Sequence, residues 1–273
     1  SVLKKLDTVA PGLVAKFGES HYLAPTEKEE AFTLLQLHNG LSILNCAQAG
    51  RAFAESLLDA ETAPALFAYE RNYMTMLDAY APAKSHWVNK APPYAGLFGG
   101  IFAAHPDARV VVTLRHPSKN IASVCRMIES WASAFGVDGS WDKHAMAQAT
   151  LITSDRQLLA PLTFRKENPE REAQIYDCMY HDLVRDPIAM VRAIYDKFDL
   201  DLTPEFETRM TTYLAQNRQG KHGRHKYSNA EYGRLLAKFA DDLSATHDID
   251  IQSRNYSVPD PSVEVDRMLV QAI

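Results

Sequence analysis

The sequence has few cysteines, no long apolar run and no excess of positive charge. Cys46, Cys125 and Cys178 lie far apart without a CxxC spacing, which argues against a zinc ribbon or a disulfide framework. No apolar run reaches the roughly 18 residues of a transmembrane helix, and residues 1–18 do not resemble a secretory leader. A net charge of -5 argues against a nucleic-acid partner. We therefore expect a cytoplasmic protein without an integral membrane segment.

The remaining sequence alternates predicted strands with predicted helices. The uninterrupted run Val110-Val111-Val112 favours a buried inner strand over 109–114, and a helical apolar stripe follows Pro117. A second strand is predicted over 175–179. A short strand is also predicted over 86–90, with a helix over about 94–104 after it. Strands separated by helices predict an α/β fold with a parallel central sheet flanked by helices.

Capping signals mark the start of several helices. Thr26-Glu27-Lys28-Glu29 is a capping box, and Asp186-Pro187 and Thr203-Pro204 each place proline at the first helical position. Helical patterning is also present over 47–58 and 65–80. Without a repeat or linker, the 273 residues are expected to form one domain, mostly helical over 1–84 with its core over 85–273.

The first candidate site is an anion site at the end of the 109–114 strand. In open parallel sheets, ligands bind outside the carboxyl ends of the strands, where Arg115 is expected. Guanidinium groups hold phosphate with two hydrogen bonds, and Ser123 lies in the first turns of the next predicted helix, where backbone N–H groups favour anions. The alternative is that Arg115 merely ends a surface strand and that Ser123 is an ordinary helix residue.

Two further basic features carry possible chemistry. Lys90 ends the predicted 86–90 strand, where a cation can stabilise a transferring group, although most such lysines are simply solvated. The loop over 217–227 concentrates positive charge in an acidic chain, and its two glycines allow close approach of a ligand. A solvated charge run is the alternative explanation for this loop.

These features occur in the order found in one family. Four of the relevant segments are WVNKAP (87–92), HPDARVV (105–111), RHP (115–117) with Ser123, and YHDLVRDP (180–187). Together with PTEKE (25–29) and the loop ending in HKYS (225–228), they resemble the bacterial-type branch of the PAPS-dependent sulfotransferases. The resemblance covers most of the chain and implies the P-loop nucleotide-kinase-like sulfotransferase fold.

The resemblance implies a role for each matching residue. Arg115 and Ser123 would hold the 3′-phosphate of PAPS, Tyr180 would lie against the adenine, and Lys90 would interact with the transferring sulfuryl group. The basic loop would close over the nucleotide phosphates. Its implied cofactor-binding residues are Arg218, Lys221, Arg224, His225 and Tyr227. The implied reaction yields 3′,5′-ADP and requires no metal.

Among the departures of the sequence from the family pattern, two bear on the reaction. It contains no glycine-rich G-x-x-[RK]-[ST]-G-[ST] loop for the 5′-phosphosulfate, so we expect that this chain begins downstream of the first strand and loop, or that it is a relative that lost activity. Tyr94 stands where many members of the branch carry histidine. The general base therefore stays open among His21, Glu27, Glu29 and Tyr94, with Glu29 alternatively only a capping residue.

The acceptor cannot be deduced from these residues. Small molecules, lipids and carbohydrates with a hydroxyl or amine all remain possible, with the helical region over 1–84 as the possible acceptor side. The alternative to a sulfotransferase is a non-catalytic relative that binds a nucleotide or a partner. A kinase would need a Walker lysine and a magnesium-binding aspartate, and neither is visible.

Overall fold

The structure is a computed structural model that describes Thr8 and residues 63–115, 120, 123–129 and 143–217. The α-helices are α1 (Ala63–Tyr80), α2 (Phe98–Ala104), α3 (Lys143–Glu167), α4 (Tyr180–Arg185), α5 (Pro187–Lys197) and α6 (Pro204–Gln216). The strands are β1 (Val110–Leu114) and β2 (Ile175–Met179), and 3₁₀ helices span Pro92–Leu97 and Pro169–Gln174. Residues 120 and 123–129 are also helical.

The chain divides into two compact units, each assembled from separate stretches of sequence. Among the described residues, the strand unit contains 111–115, 120, 123–129 and 175–217, and the helical unit contains 63–110 and 143–174. Our expectation of a single domain divided near residue 84 stays a prediction. The capping box over 26–29 and the predicted helix over 47–58 lie outside the described residues.

The strand unit is built on a parallel pair formed by β1 and β2, as the alternation of strands and helices predicts. Val112, Thr113 and Leu114 are buried in succession, so both faces of β1 are covered, as expected for an inner strand. The helical segment after β1 buries Cys125 and Ile128. Both predicted strands and the α/β fold are therefore confirmed.

Predicted caps begin the last two described helices. The Asp186 carboxylate accepts a hydrogen bond from the Ala189 N–H at 2.9 Å, and the Thr203 hydroxyl accepts one from the Phe206 N–H at 3.2 Å. Proline occupies the first position of both α5 and α6, where no N–H is required. Met190 in the middle of α5 and Phe198 at its C-cap are buried.

The helical unit is held together by aromatic packing between α1, α2 and α3. The Phe164 ring of α3 stacks on Phe102 at 5.0 Å and meets Phe98 edge-on at 5.5 Å. Phe67 of α1 is buried and lies 5.7 Å from the Tyr94 ring. Aromatic pairs at these separations stabilise a core beyond the area that they bury. None of the described helices is long and apolar enough to cross a membrane.

The segments that lead into the two strands are held side by side by polar contacts. The Gln174 side chain donates to the carbonyls of Pro106 and Ala108, both at 2.9 Å, and Arg171 Nη1 donates to the Pro106 carbonyl at 2.8 Å. Gln174 directly precedes β2, and Ala108 lies two residues before β1. These bonds therefore satisfy backbone carbonyl groups of the turn over 105–108 and fix the position at which each strand begins.

The prediction of a strand over 86–90 is wrong. The segment has no regular secondary structure, and Val88 is 80% exposed, whereas a ladder strand of the core would bury alternate side chains. Its side chains instead bond to α1, since Trp87 Nε1 donates to Asp78 Oδ1 at 3.2 Å. The helix predicted over about 94–104 exists, but it consists of a 3₁₀ turn from Pro92 followed by α2.

Close packing of α2 on α1 depends on Gly100. A Cβ at this position would lie 2.7 Å from Phe67 Cε2 and 3.0 Å from Ala63 Cβ, too close for real carbon atoms. We expect Gly100→Ala to lower the free energy of unfolding by about 1–3 kcal/mol, the usual cost of overpacking a core. Urea denaturation measures this change.

The neighbouring glycine provides a matched control. A Cβ at Gly99 would lie 3.5 Å from the Phe164 ring, an ordinary contact, so Gly99→Ala is expected to be neutral or to stabilise α2 by about 0.5–1 kcal/mol. Equal losses in the two variants would show that helix propensity, and not the approach to Phe67, decides the result.

Candidate functional site

Arg115 and Tyr180 meet at the carboxyl edge of the strand pair. Arg115 directly follows β1, and Tyr180 directly follows β2 as the first residue of α4. Because the two strands are parallel neighbours, both residues leave the sheet at the same edge. The Arg115 guanidinium carbon lies 4.6 Å from the centre of the Tyr180 ring, a cation–π contact. The structure thus brings together Arg115, which the sequence indicated as an anion ligand, and Tyr180, which the family resemblance implied.

One hydrogen-bond donor of Arg115 meets no acceptor among the described residues. Its Nε is buried, and no partner for it exists within the part of the chain that the structure describes. A buried guanidinium N–H without an acceptor costs free energy, so such groups normally meet an oxygen of the protein or of a ligand. A positively charged donor at the ligand-binding edge of a sheet suits an anionic oxygen.

Ser123 lies in the helical segment that follows β1 and is half-buried. It belongs to the same unit as Arg115 and Tyr180, so a place in one site is compatible with the fold. Its contact with an anion stays a prediction. Cys178 of β2 is buried, and burial raises the pKa of its thiol to about 11, so this cysteine is a protonated core residue, as the sequence suggested.

Most of the other site residues predicted from the sequence lie outside the described residues. They are the general-base candidates His21, Glu27 and Glu29, and the basic-loop residues Arg218, Lys221, Arg224, His225 and Tyr227. Within the described ranges, no group of three or more His, Cys, Asp or Glu side chains is placed to hold a metal ion.

The helical unit contains a second polar cluster around Glu70 of α1. Glu70 is only 2% exposed, and its Oε1 accepts hydrogen bonds from the Tyr94 hydroxyl and from Asn89 Nδ2, the latter at 2.9 Å. Lys90, the predicted sulfuryl-binding cation, is half-buried and directly follows Asn89. Burying a carboxylate costs free energy unless it is hydrogen-bonded, and the donors Asn89 and Tyr94 offset part of that cost.

Burial dominates the ionisation of this cluster. Loss of solvent raises the pKa of the Glu70 carboxyl, and the hydrogen bonds from Tyr94 and Asn89 and the charge of His105 only partly oppose this shift. Burial, followed by the negative charge of Glu70, raises the pKa of the Tyr94 phenol. Tyr94 therefore stays protonated and donates a hydrogen bond to Glu70, which argues against Tyr94 as an unassisted general base.

Sequence reasoning missed Glu70, although a signal was present. Ala63, Leu66, Phe67 and Glu70 recur at the spacing of one helix face, and all four are buried. An acidic residue at a position where the pattern demands an apolar one indicates a buried carboxylate with partners. Phe67, which belongs to the region over 1–84 that we considered as the possible acceptor side, packs in the core.

The ionisation of Glu70 predicts a pH dependence of stability. A carboxyl with a raised pKa binds a proton more tightly in the folded chain, so its contribution to stability falls as pH rises from the ordinary value of 4.5 through the raised one. The Glu70→Gln variant has no carboxyl at this position, so its stability should not fall with rising pH for this reason. The free energy of unfolding of the variant minus that of the wild type is thus expected to increase across this range in urea titrations at stepped pH.

Glu205→Gln is the matched control for this titration. The Glu205 side chain is 82% exposed, so its replacement is expected to shift stability by a similar small amount at every pH. A difference between Glu70→Gln and the wild type that stays constant with pH would contradict the proposed cost of the buried charge.

Comparison with known proteins identifies the family. The family model described as "Sulfotransferase family" matches residues 6–204. The fold is similar to that of sulfotransferase STF9 from Mycobacterium avium, with a TM-score of 0.67, 21% identity, and coverage of 89% of this chain and 62% of that one. It is also similar to sulfotransferase STF1 from Mycobacterium tuberculosis, with a TM-score of 0.62 and 25% identity.

The second comparison covers 88% of this chain and 65% of the other. The chain thus spans less than two thirds of the length of either solved structure. A comparison with curated proteins finds no match. The family match extends from residue 6 to residue 204 and includes β1, β2, Lys90, Arg115 and Tyr180. The chain belongs to the sulfotransferase family.

Proposed function

We propose that this protein transfers a sulfuryl group from PAPS to a hydroxyl or amine of an acceptor, and that Arg115 and Tyr180 form part of its nucleotide site. The observation that carries the proposal is the buried Arg115 Nε, which has no acceptor in the described part of the chain and lies at the carboxyl edge of the strand pair. The family match supports sulfuryl transfer as the reaction class.

A 3′-phosphate fits the chemistry of this edge. Phosphate oxygens would accept from the Nε and a terminal nitrogen of Arg115, which removes the penalty of the unpaired donor. The 4.6 Å contact with the Tyr180 ring restricts the orientation of the Arg115 guanidinium, so its hydrogen-bond donors are partly ordered before the ligand binds. The aromatic ring also supplies a surface that suits a purine.

PAPS, when bound, would supply the sulfuryl group, which passes to the acceptor oxygen or nitrogen as its bond to the leaving group 3′,5′-ADP breaks. The chain's own residues then have three tasks, namely to hold the nucleotide, to orient the acceptor and to stabilise charge. Arg115, Ser123 and Tyr180 would take the first task, together with Arg218, Lys221, Arg224, His225 and Tyr227. Lys90 would place its ammonium beside the sulfuryl oxygens, where negative charge develops.

Calorimetric titration of the purified chain tests the nucleotide site. We expect 3′,5′-ADP to bind with one-to-one stoichiometry and 5′-AMP to bind about 10- to 150-fold more weakly, the value of losing one charge-assisted phosphate contact. Equal affinities would show that the 3′-phosphate is not recognised. Absence of 3′,5′-ADP binding would contradict the proposed site as a whole.

Transfer itself requires a second assay. Release of 3′,5′-ADP from PAPS is measured with panels of phenols, aliphatic alcohols, sugars and amines, each against a no-acceptor blank. An acceptor-dependent rate supports the enzyme. Binding of 3′,5′-ADP without any acceptor-dependent release across the panels would favour a nucleotide-binding relative that does not catalyse transfer.

A further inference from the structure

The position of Lys90 needs an explanation, because its segment is not part of a described sheet. Residues 86–91 have no regular secondary structure, and the side chain of Val88 is exposed. An irregular surface segment normally samples several conformations, and a catalytic cation must be held in one. The question is therefore which contacts fix the backbone around Lys90.

Glu70 holds the chain on both sides of Lys90. Its Oε1 accepts from Asn89, the residue before Lys90, and from the Tyr94 hydroxyl, four residues after it. Both donors converge on one oxygen of a side chain that is fixed in the middle of α1. The Asn89 amide also lies 3.1 Å from the Met74 sulfur of the same helix. The Glu70 carboxylate therefore joins both ends of the segment 89–94 to α1.

Burial makes this fastening strong. Tyr94 is 6% exposed and Ala91 is fully buried, so the hydrogen bond from Tyr94 lies away from competing water. The Tyr94 ring also packs on Phe67, one helical turn before Glu70. A carboxylate at this depth costs free energy, which the pKa shift of Glu70 reflects, so simple stability does not account for its presence.

We propose that Glu70 is a positioning residue, whose carboxylate binds Asn89 and Tyr94 and thereby places Lys90 for sulfuryl transfer. This inference rests on the proposed function for the role of Lys90, and on the hydrogen bonds alone for the fastening of the segment. Glu70 acts through the 89–94 segment and need not touch a substrate.

Amide hydrogen exchange tests the fastening independently of activity. Tyr94→Phe removes one donor while keeping the ring, and Asn89→Ala removes the other at an exposed site. Each is expected to speed exchange of peptides covering 86–94 about 5- to 10-fold, as loss of one hydrogen bond permits, and the double variant more. Exchange in β1 and β2 should not change. Glu70→Gln keeps an acceptor oxygen and should retain most of the protection.

Tyr73→Phe is the matched control, because it removes a hydroxyl from the same helix as Glu70 without touching this cluster. Exchange of 86–94 that matches the wild type in Tyr94→Phe, or that rises equally in Tyr73→Phe, would overturn the fastening.

A kinetic cycle then separates positioning from general structural support. If Glu70 acts through Lys90, Tyr94→Phe lowers kcat in the wild type but causes little further loss in a Lys90→Ala background, and 3′,5′-ADP affinity is unchanged in both. Equal losses in the two backgrounds would overturn the link to Lys90. A wild type that binds no 3′,5′-ADP would instead contradict the proposed function, and the exchange result would still decide the fastening.

Discussion

Replacing Arg115 with alanine is expected to weaken binding of 3′,5′-ADP about 10- to 150-fold, because one or two charge-assisted hydrogen bonds to phosphate are lost. The guanidinium follows β1 and lies against the Tyr180 ring, with a buried Nε that has no acceptor within the described residues. Removing it also removes an unsatisfied donor, so the free chain should not lose stability. Calorimetry and thermal melting measure the two quantities.

Lysine at the same position separates charge from geometry. Arg115→Lys keeps one positive charge but cannot form the planar two-pronged contact, so we expect an intermediate loss of affinity. Arg185→Ala is the control for charge alone, since this arginine is 73% exposed and belongs to the same unit. A similar loss of affinity in Arg185→Ala would show that general electrostatics, not a built site, attracts the nucleotide.

Replacing Lys90 with alanine is expected to lower kcat about 100- to 1000-fold, the usual effect of removing one group that stabilises transition-state charge. The affinity for 3′,5′-ADP should change by less than about threefold, because the product lacks the sulfuryl group that Lys90 is proposed to contact. Steady-state kinetics with PAPS and calorimetry with 3′,5′-ADP supply the comparison.

Lys84→Ala is the matched control for Lys90. Lys84 is an exposed lysine six residues before Lys90, and its replacement should leave kcat unchanged. If Lys90→Ala retained wild-type kcat, or if both variants lost activity equally, the assignment of Lys90 to the transferring group would be wrong.

The sequence predicted both strands of the described pair because local signals there agree with the tertiary structure. Three consecutive valines predict burial on both faces, and β1 has that burial. Parallel neighbours bring their carboxyl ends together, which explains why Arg115 and Tyr180, each directly after a strand, lie near each other. Helix starts at Pro187 and Pro204 were equally local, since the capping side chains lie in the adjoining residues.

The segment around Lys90 could not be predicted in the same way, because long-range contacts determine it. Trp87 and Val88 favour a strand by composition. In the structure, however, Trp87 donates a hydrogen bond to Asp78, 9 residues away, and Asn89 donates one to Glu70, 19 residues away, and both acceptors belong to α1. The local sequence does not indicate these hydrogen bonds. The buried Glu70 on an apolar helix face was the only available sign, and it does not identify the partners.

The most direct test of the nucleotide site is a cycle that removes the 3′-phosphate and the guanidinium in turn. Calorimetry gives the affinities of wild type and Arg115→Ala for 3′,5′-ADP and for 5′-AMP. If Arg115 holds the 3′-phosphate, the substitution weakens 3′,5′-ADP binding about 10- to 150-fold but leaves 5′-AMP binding nearly unchanged. If the substitution weakens both ligands by the same factor, Arg115 does not contact the 3′-phosphate, and the central claim is contradicted.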